Sequence, residues 1–318
     1  MARGAIGSED VGVPRLHADE LPIDVTLVRG LVDRAFPEYA GLELRALEDS
    51  GSSNALFRLG RDMVVRLPRQ PWGGASIAKE ASWLPYVAAS VSVEVPTVLG
   101  IGEPDLDYPE RWAVTTWLHG VRSARPRPDS GGSRDALARD LARFVRELRG
   151  MEVPRQANDA ALSSYRGLPL SDLDGDFREA AAACRSLEVG VDVDDALRVW
   201  DQAVDASLAA ETMIGWYHGD LLLENLLLDD QGGLAAVLDF GGLAIGHPTV
   251  DLAVAWEALD AQSRGVFRTA LDVDDATWAT SRGWALLIAM ITFPYYATTM
   301  PARCADRLVM ARAAIKGT

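Results

Sequence analysis

The sequence predicts an α+β protein of two lobes, a small β-rich amino-terminal lobe and a larger, mainly helical carboxy-terminal lobe. Short apolar runs separated by Gly, Ser and Asp turns dominate up to about residue 118, as is typical of strands. Beyond that point, apolar residues recur at helical spacing over longer stretches. The 318 residues are enough for two hydrophobic cores. We place a flexible leader at 1–20, the first lobe at 21–118 and the second at 119–318.

Composition narrows the function classes before any motif is considered. The net charge of −15 argues against a nucleic-acid partner and is compatible with a cationic substrate, although an acidic surface kept for solubility also explains it. The longest apolar run, Trp284 to Phe293, is too short to span a bilayer, so no membrane association is predicted. The amino terminus has no apolar signal-peptide core, and we expect a cytoplasmic protein. Cys184 and Cys304 are too few for a disulfide framework and are predicted as buried small hydrophobes.

The first lobe is predicted to alternate helix and strand. Asp24 is expected to cap a helix that ends at Phe36, before Pro37. The remaining predicted elements are a strand-turn-strand unit over 42–57, a strand over 63–67, a helix from about Ser76 to Val87, and strands over 93–100 and 112–118.

The second lobe is predicted to be a set of helices around one central hairpin. Ser133 is expected to cap an amphipathic helix that runs to Leu148, after a loop at 126–132. Further helices are expected at 193–210, 251–259, 278–293 and 301–315.

The stretch from Tyr217 to Asn225 carries the polar residues around which the second lobe is organised. A hairpin over 226–238, with a Gly-rich turn, is expected to bring Asn225 close to Asp239. Asp220, an amide and a second carboxylate in one cleft suit phosphoryl transfer, because one acid orients a hydroxyl while the amide oxygen and the other acid hold magnesium. His218 is predicted to support the loop, since none of the four histidines pairs at zinc spacing.

These motifs resemble those of a known family. His218-Gly219-Asp220, then Asn225 and Asp239-Phe240-Gly241, is similar to the catalytic core of protein kinases, with Gly219 where those carry Arg. With the run from Gly241 to Ala253, the pattern resembles the aminoglycoside phosphotransferase family of small-molecule kinases, over about residues 21 to 315. The resemblance implies the two-lobed protein-kinase-like fold.

The resemblance also implies roles for individual residues. It makes Asp220 the catalytic base, and Asn225 and Asp239 the magnesium ligands, with ATP or GTP as phosphoryl donor. The predicted nucleotide-binding residues are the turn Ser50, Gly51, Ser52, Ser53 and Asn54, the cation Arg66 with its partner Glu80, and the hinge positions Thr116 and Leu118. The open alternatives are that the turn is an ordinary hairpin, that Glu80 pairs with Lys79, and that Arg58 or Arg69 supplies the cation.

Substrate recognition is predicted less directly. Glu257 and Asp260 are spaced by three residues and are expected to face a cationic substrate from one side of a helix. The function implied is phosphorylation of a hydroxyl on a small, cationic molecule of aminoglycoside type. Kinases of macrolides, amino alcohols or sugars are the alternatives within the family, and a non-catalytic nucleotide- or drug-binding pseudokinase is the alternative outside it.

Overall fold

The chain folds as two units, and both are discontinuous in sequence. The computed structural model describes residues 15–47, 51–122, 134–154, 160–210 and 213–317. One unit comprises Met1–Ala78 and Val98–Trp117, and the other comprises Lys79–Thr97 and Leu118–Thr318. The α+β class predicted from the sequence is confirmed.

The first unit is built on a five-stranded antiparallel sheet. Helix α1, Val25–Ala35, packs Val28, Leu31 and Val32 against the core of this sheet. The predicted cap is confirmed, because the Asp24 carboxylate accepts a 2.7 Å hydrogen bond from the Leu27 amide. The strands are β1 Leu44–Ala46, β2 Asn54–Leu59, β3 Met63–Pro68, β4 Val98–Gly102 and β5 Trp112–Thr116. Their order in the sheet is β1-β2-β3-β5-β4.

The predicted leader is only partly within the described residues. Residues 1–14 lie outside them, whereas 15–20 make defined contacts with the first unit. The Glu20 carboxylate accepts the Leu16 amide and lies 3.4 Å from the Arg69 guanidinium. Leu21 then donates its amide to the Arg69 carbonyl. This part of the leader is therefore fastened to the end of β3.

The segment between β3 and β4 leaves the first unit. Helix α2, Gly74–Ala88, begins two residues earlier than the predicted Ser76. The predicted strand over 93–100 is divided, since Pro96 has no amide to donate and only Val98–Gly102 joins the sheet. Glu94 instead pairs with Ala236 of the second unit, which is why 79–97 belongs there and not to the first lobe as the sequence suggested.

The second unit is mainly helical. Its core surrounds α8, a helix longer than predicted at both ends, with Trp284 and Phe293 among the buried side chains. The predicted cap Ser133 and the loop at 126–132 lie outside the described residues. The helices are α3 Asp135–Arg149, α4 Asp174–Leu187, α5 Val193–Ala209, α6 Val254–Ala258, α7 Ala261–Leu271, α8 Asp275–Tyr296 and α9 Pro301–Lys316.

Short strands carry the polar loops of the second unit. The predicted hairpin is confirmed as β8, Leu226–Leu228, paired with β9, Leu234–Val237, and β6, Val121–Arg122, adds to its edge. β7, Gly215–Tyr217, pairs with β10, Ala244–Gly246. Within the described residues, no helix combines the length and apolar character that crossing a membrane requires.

Candidate active site

Two predicted site residues meet directly at the end of β7. Asn225 Nδ2 donates to the Asp220 carbonyl at 2.8 Å and to Asp220 Oδ2 at 3.1 Å. The Asn225 carbonyl accepts the Leu238 amide at 2.8 Å, which places Asp239 one residue beyond that bond. Closing the β8–β9 hairpin therefore brings Asp220, Asn225 and Asp239 into one region, as the sequence predicted.

Asp239 has a backbone conformation that few residues adopt. Its φ is +58°, in the left-handed region, and its Oδ1 accepts the Gly241 amide at 3.3 Å. Asp tolerates this region because its short side chain can bond to nearby backbone groups. The Asp-Phe-Gly sequence is thus a tight turn that follows the strand β9.

Gly219 explains why the loop departs from the protein-kinase pattern. Its φ is +82°, and a Cβ placed on it would lie 2.5 Å from the Gly242 carbonyl oxygen. A Cβ on Gly242 would lie 2.8 Å from the His218 carbonyl oxygen. The two loops that carry Asp220 and Asp239 therefore touch through backbone atoms, and neither position has room for a side chain.

His218 supports the loop from inside, as predicted. Its ring is fully buried, and Nδ1 accepts the Asp220 amide at 3.1 Å. Nε2 lies 3.0 Å from the Leu238 carbonyl and must be the donor in that bond, because Nδ1 already accepts. The imidazole therefore joins the loop of Asp220 to the strand that precedes Asp239.

Asp251 anchors the same loop by its backbone. Its buried carboxylate accepts the amides of His218 at 2.7 Å and Gly219 at 2.9 Å. Burial raises the pKa of Asp251, and the two amides act in the opposite direction because they favour the ionised form. The sequence placed Asp251 in the family-like run 241–253 but assigned it no role.

Helix α9 fixes the far side of the loop. The buried Arg307 guanidinium bonds both Glu257 and Glu224, and Glu257 also accepts the Leu223 amide at 2.8 Å. Burial lowers the pKa of Arg307, but the two carboxylates outweigh it and raise the pKa further above its ordinary value. The loop residues directly before Asn225 are thereby tied to α9.

The prediction that Glu257 and Asp260 lie on one side of a helix is wrong. Helix α6 ends at Ala258, and Asp260 caps the separate helix α7 by accepting the Ser263 amide at 2.9 Å. The two acids therefore do not share one helix face. Glu257 is only 2% exposed and neutralises Arg307, so it is not presented to a substrate.

A guanidinium contacts the predicted base. Arg166 Nη1 lies 2.9 Å from Asp220 Oδ1. Burial would raise the pKa of Asp220, but the charges of Arg166 and Arg307 outweigh burial and hold the pKa below its ordinary value. Asp220 is therefore an ionised carboxylate near neutral pH, the form that can accept a proton.

Lys79 lies in the same electrostatic environment. Burial lowers the pKa of this lysine, and the charges of Glu80 and Asp239 partly counter the effect. From the sequence, Lys79 was considered only as an alternative partner for Glu80. Its half-buried position on α2 instead places a cation within the field of Asp239.

The predicted phosphate-binding turn belongs to the first unit and is braced by Arg69. Arg69 Nε donates to the Gly51 carbonyl at 3.0 Å, and its amide donates to the Ser53 carbonyl at 2.9 Å. The Ser52 carbonyl lies 2.8 Å from His17 Nε2. Asn54 is buried at the start of β2, and Ser50 lies outside the described residues.

The other predicted nucleotide residues are distributed over both units. Arg66 is 7% exposed on β3, in register with Leu56 and Ala113. Thr116 ends β5 in the first unit. Glu80, which is 2% exposed on α2, and Leu118 both belong to the second unit.

Three residues of the second unit that sequence reasoning did not identify are Arg166, Asp251 and Arg307. Arg166 and Arg307 lie far from the motifs in sequence, so no local pattern could reveal them. Asp251 carried a usable signal, because an acid inside an apolar run requires hydrogen-bond donors when it is buried.

Comparison with known proteins shows relatives in sequence and in fold. An aminoglycoside 3'-phosphotransferase from Escherichia coli is 26% identical over 223 residues, which are 66% of this chain and 70% of that protein. The GDP complex of wild-type aminoglycoside 2'-phosphotransferase-IIIa is 19% identical with a TM-score of 0.67, covering 93% of this chain and 100% of that one. The macrolide 2'-phosphotransferase MphH from Brachybacterium faecium is 20% identical with a TM-score of 0.58, covering 91% and 97%.

The fold and these relatives identify the chain as a small-molecule phosphotransferase. The model of the family described as "Phosphotransferase enzyme family" matches residues 43–284, more than half of the chain. The chain belongs to that family, and the resemblance stated from its motifs is confirmed.

Proposed function

We propose that this enzyme transfers the terminal phosphoryl group of ATP or GTP to a hydroxyl of a small antibiotic, with an aminoglycoside as first candidate. The observation that carries the proposal is the pair of hydrogen bonds from Asn225 Nδ2 to Asp220, beside the turn of Asp239. A binding protein without catalysis needs no base next to two oxygen ligands. This argues against the pseudokinase alternative.

Asp220 is the proposed catalytic base. Its carboxylate accepts the proton of the acceptor hydroxyl as the hydroxyl oxygen forms a bond to the terminal phosphorus. The bond from that phosphorus to the bridging oxygen breaks, and ADP or GDP leaves with the electron pair. A phosphate on the drug removes a hydrogen-bond donor and adds negative charge, which would prevent binding to the drug's target.

Asn225 and Asp239 are the proposed magnesium ligands. The Asn225 amide nitrogen is used on Asp220, so its Oδ1 is the atom left for a metal. An amide oxygen and a carboxylate fit magnesium, which is bound through few protein oxygens together with substrate phosphates. In the described part of the chain, no cluster of three or more His, Cys, Asp or Glu side chains is arranged for a metal, and this type of site does not require one. When bound, the ion neutralises charge on the transferring phosphoryl group.

The nucleotide is proposed to bind through the residues predicted for it. Support comes from the bracing of the turn at Gly51 and from the register of β3, which pairs Arg66 with Leu56 of β2, the strand that follows this turn. Arg58 and Arg69 are the alternatives for the cation. We therefore retain Arg66 as the phosphate-binding cation, Glu80 as its partner, and Thr116 and Leu118 as contacts to the base.

The acceptor class has two candidates. The net charge of −15 and the relative named as an aminoglycoside 3'-phosphotransferase support a cationic aminoglycoside. However, Glu224 and Glu257 are already paired with Arg307, and Glu224 also with Arg303, which favours an acceptor with fewer amines, such as a macrolide. The acidic charge does not favour a nucleic acid, and a cytoplasmic location, where ATP and GTP are abundant, suits either drug.

The test is a substrate panel with both nucleotides. Purified protein, Mg²⁺ and ATP or GTP are incubated with aminoglycosides, macrolides, amino alcohols and sugars, and products are analysed by mass spectrometry. Phosphorylation adds about 80 Da, the mass of HPO₃, to one class of acceptor. Replacing Asp220 by Asn should reduce kcat by about 10²–10⁴ while nucleotide still binds. Absence of any phosphorylated product, or near-normal kcat in D220N, would refute the proposal.

A further inference from the structure

Arg166 occupies an unusual place beside the catalytic loop. It lies in the 3-10 turn Tyr165–Gly167, and its side chain is only 19% exposed. One nitrogen, Nη1, donates both to Asp220 Oδ1 and to the carbonyl of Gly219. The guanidinium therefore contacts the side chain of the proposed base and the backbone immediately before it.

The turn that carries Arg166 is held independently of this contact. The Gly167 amide donates to the Ser164 carbonyl at 3.0 Å, and the Gly167 carbonyl accepts the His247 amide at 3.1 Å. Arg166 Nε lies 3.1 Å from the Tyr165 hydroxyl, which orients the guanidinium plane. The backbone of Arg166 is thus held by bonds that do not involve Asp220.

Both oxygens of the Asp220 carboxylate accept hydrogen bonds. Oδ1 accepts from Arg166, and Oδ2 accepts from Asn225, which belongs to the catalytic loop itself. Donors on both oxygens fix the rotation of the carboxylate plane, and each oxygen retains a lone pair for an acceptor hydroxyl. A carboxylate held in this way is ready to meet the hydroxyl in one orientation.

We propose that Arg166 is a positioning residue for phosphoryl transfer, which holds the plane of the Asp220 carboxylate and the Gly219 peptide in the reactive orientation. This inference rests on the proposed function, because it takes Asp220 as the base. Arg166 acts through Asp220 and not on the nucleotide, so its loss lowers kcat with little change in nucleotide affinity. Preorganised positioning of this kind is sensitive, since a misplacement of about 1 Å costs roughly 10²-fold in rate.

Kinetics with the acceptor found in the panel provide the first test. Arg166→Ala should lower kcat by about 10-fold to 10²-fold while the calorimetric affinity for MgATP changes less than about twofold. Arg166→Lys should recover part of kcat, since a point charge can bond Oδ1 but lacks the planar fork. Added guanidinium ion should raise kcat of Arg166→Ala, and methylammonium should raise it less.

Arg178→Ala is the matched control. Arg178 also bonds two partners, Asp174 and Asp201, but its side chain is 48% exposed and both partners lie outside the loop. This variant should keep the wild-type kcat and show no response to guanidinium. Equal losses in both variants, or kcat of Arg166→Ala within about twofold of wild type, would overturn the inference.

A spectroscopic measurement on the free enzyme requires no acceptor. In protein labelled with ¹⁵N arginine, the paired guanidinium of Arg166 should give a slowly exchanging Nη–H signal that Arg166→Ala removes. Asp220→Asn should shift or remove the same signal, and its persistence unchanged would overturn the contact. The kinetic outcomes separate the two hypotheses. A D220N variant with near-normal kcat refutes the proposed function. An inactive D220N together with an Arg166→Ala variant of unchanged kcat refutes only this inference.

Discussion

Replacing Gly219 by Ala tests whether the loops that carry Asp220 and Asp239 depend on their backbone contact. The added Cβ would lie 2.5 Å from the Gly242 carbonyl oxygen, and the residue has a φ of +82°. A left-handed backbone costs an alanine about 1–2 kcal/mol. The contact adds a second cost, because the loops must separate by about half an ångström to reach a distance that packed atoms tolerate.

Gly232 provides a control for the cost of the left-handed backbone alone. Gly232, in the turn between β8 and β9, has a φ of +81°, and a Cβ there would meet nothing within 4 Å. Gly232→Ala should therefore lose about 1–2 kcal/mol of unfolding free energy and keep its activity. Gly219→Ala should lose more than Gly232→Ala. Its kcat should also fall by about 10-fold to 10²-fold, since Asp220 is the next residue.

Urea unfolding followed by tryptophan fluorescence gives the two stabilities, and steady-state kinetics with the acceptor found in the panel gives kcat. The reasoning is refuted if the two variants agree within about 0.5 kcal/mol and both keep the wild-type kcat. A loss of kcat in Gly232→Ala would equally contradict it, because that glycine lies away from the loop contact.

Three further predictions concern the arginines of the two units. Arg66→Ala should raise the KM for nucleotide and lower kcat together, and Arg66→Lys should recover part of both; an unchanged nucleotide KM would assign the phosphate contact to another cation. Arg69→Ala should release the turn at Gly51 and weaken MgATP binding measured by calorimetry, and unaltered affinity would show that this bracing is dispensable. Arg307→Met should cost about 3–5 kcal/mol at pH 8, because Glu257 is left buried without its cation. Protonation of that orphaned carboxyl relieves the cost, so the urea midpoint of the Arg307 variant should approach the wild-type midpoint as the pH falls from 8 to 5, and a constant difference would contradict the argument.

The sequence was most informative where function depends on residues close together along the chain. Asp220, Asn225 and Asp239 are joined by one hairpin, so turn chemistry and strand patterning were enough to predict their proximity. The cap at Asp24 was predictable for the same reason, because a cap and its helix are adjacent.

Long-range polar contacts could not be predicted in this way. Arg166 reaches Asp220 from 54 residues away, and Arg307 reaches Glu257 from 50. No spacing rule selects these arginines from the other basic residues of the chain. Glu257 illustrates the consequence, since its spacing to Asp260 suggested a helix face, whereas the intervening end of α6 and the buried partner Arg307 determine its environment.

Residues 79–97 belong to the second unit although they lie between two segments of the first, which matters for fragments and chimaeras of this enzyme. The Glu94 amide donates to the Ala235 carbonyl, the Val237 amide donates to the Glu94 carbonyl, and the Ser92 amide donates to Glu147. A piece beginning at residue 118 would leave those partners exposed and lose the Trp83 ring that packs 5.2 Å from Trp216. Exchange of the larger unit between relatives therefore needs three crossovers, after residues 78, 97 and 117, so that 79–97 is carried along. A single crossover near residue 118 would instead divide the second unit between two parents.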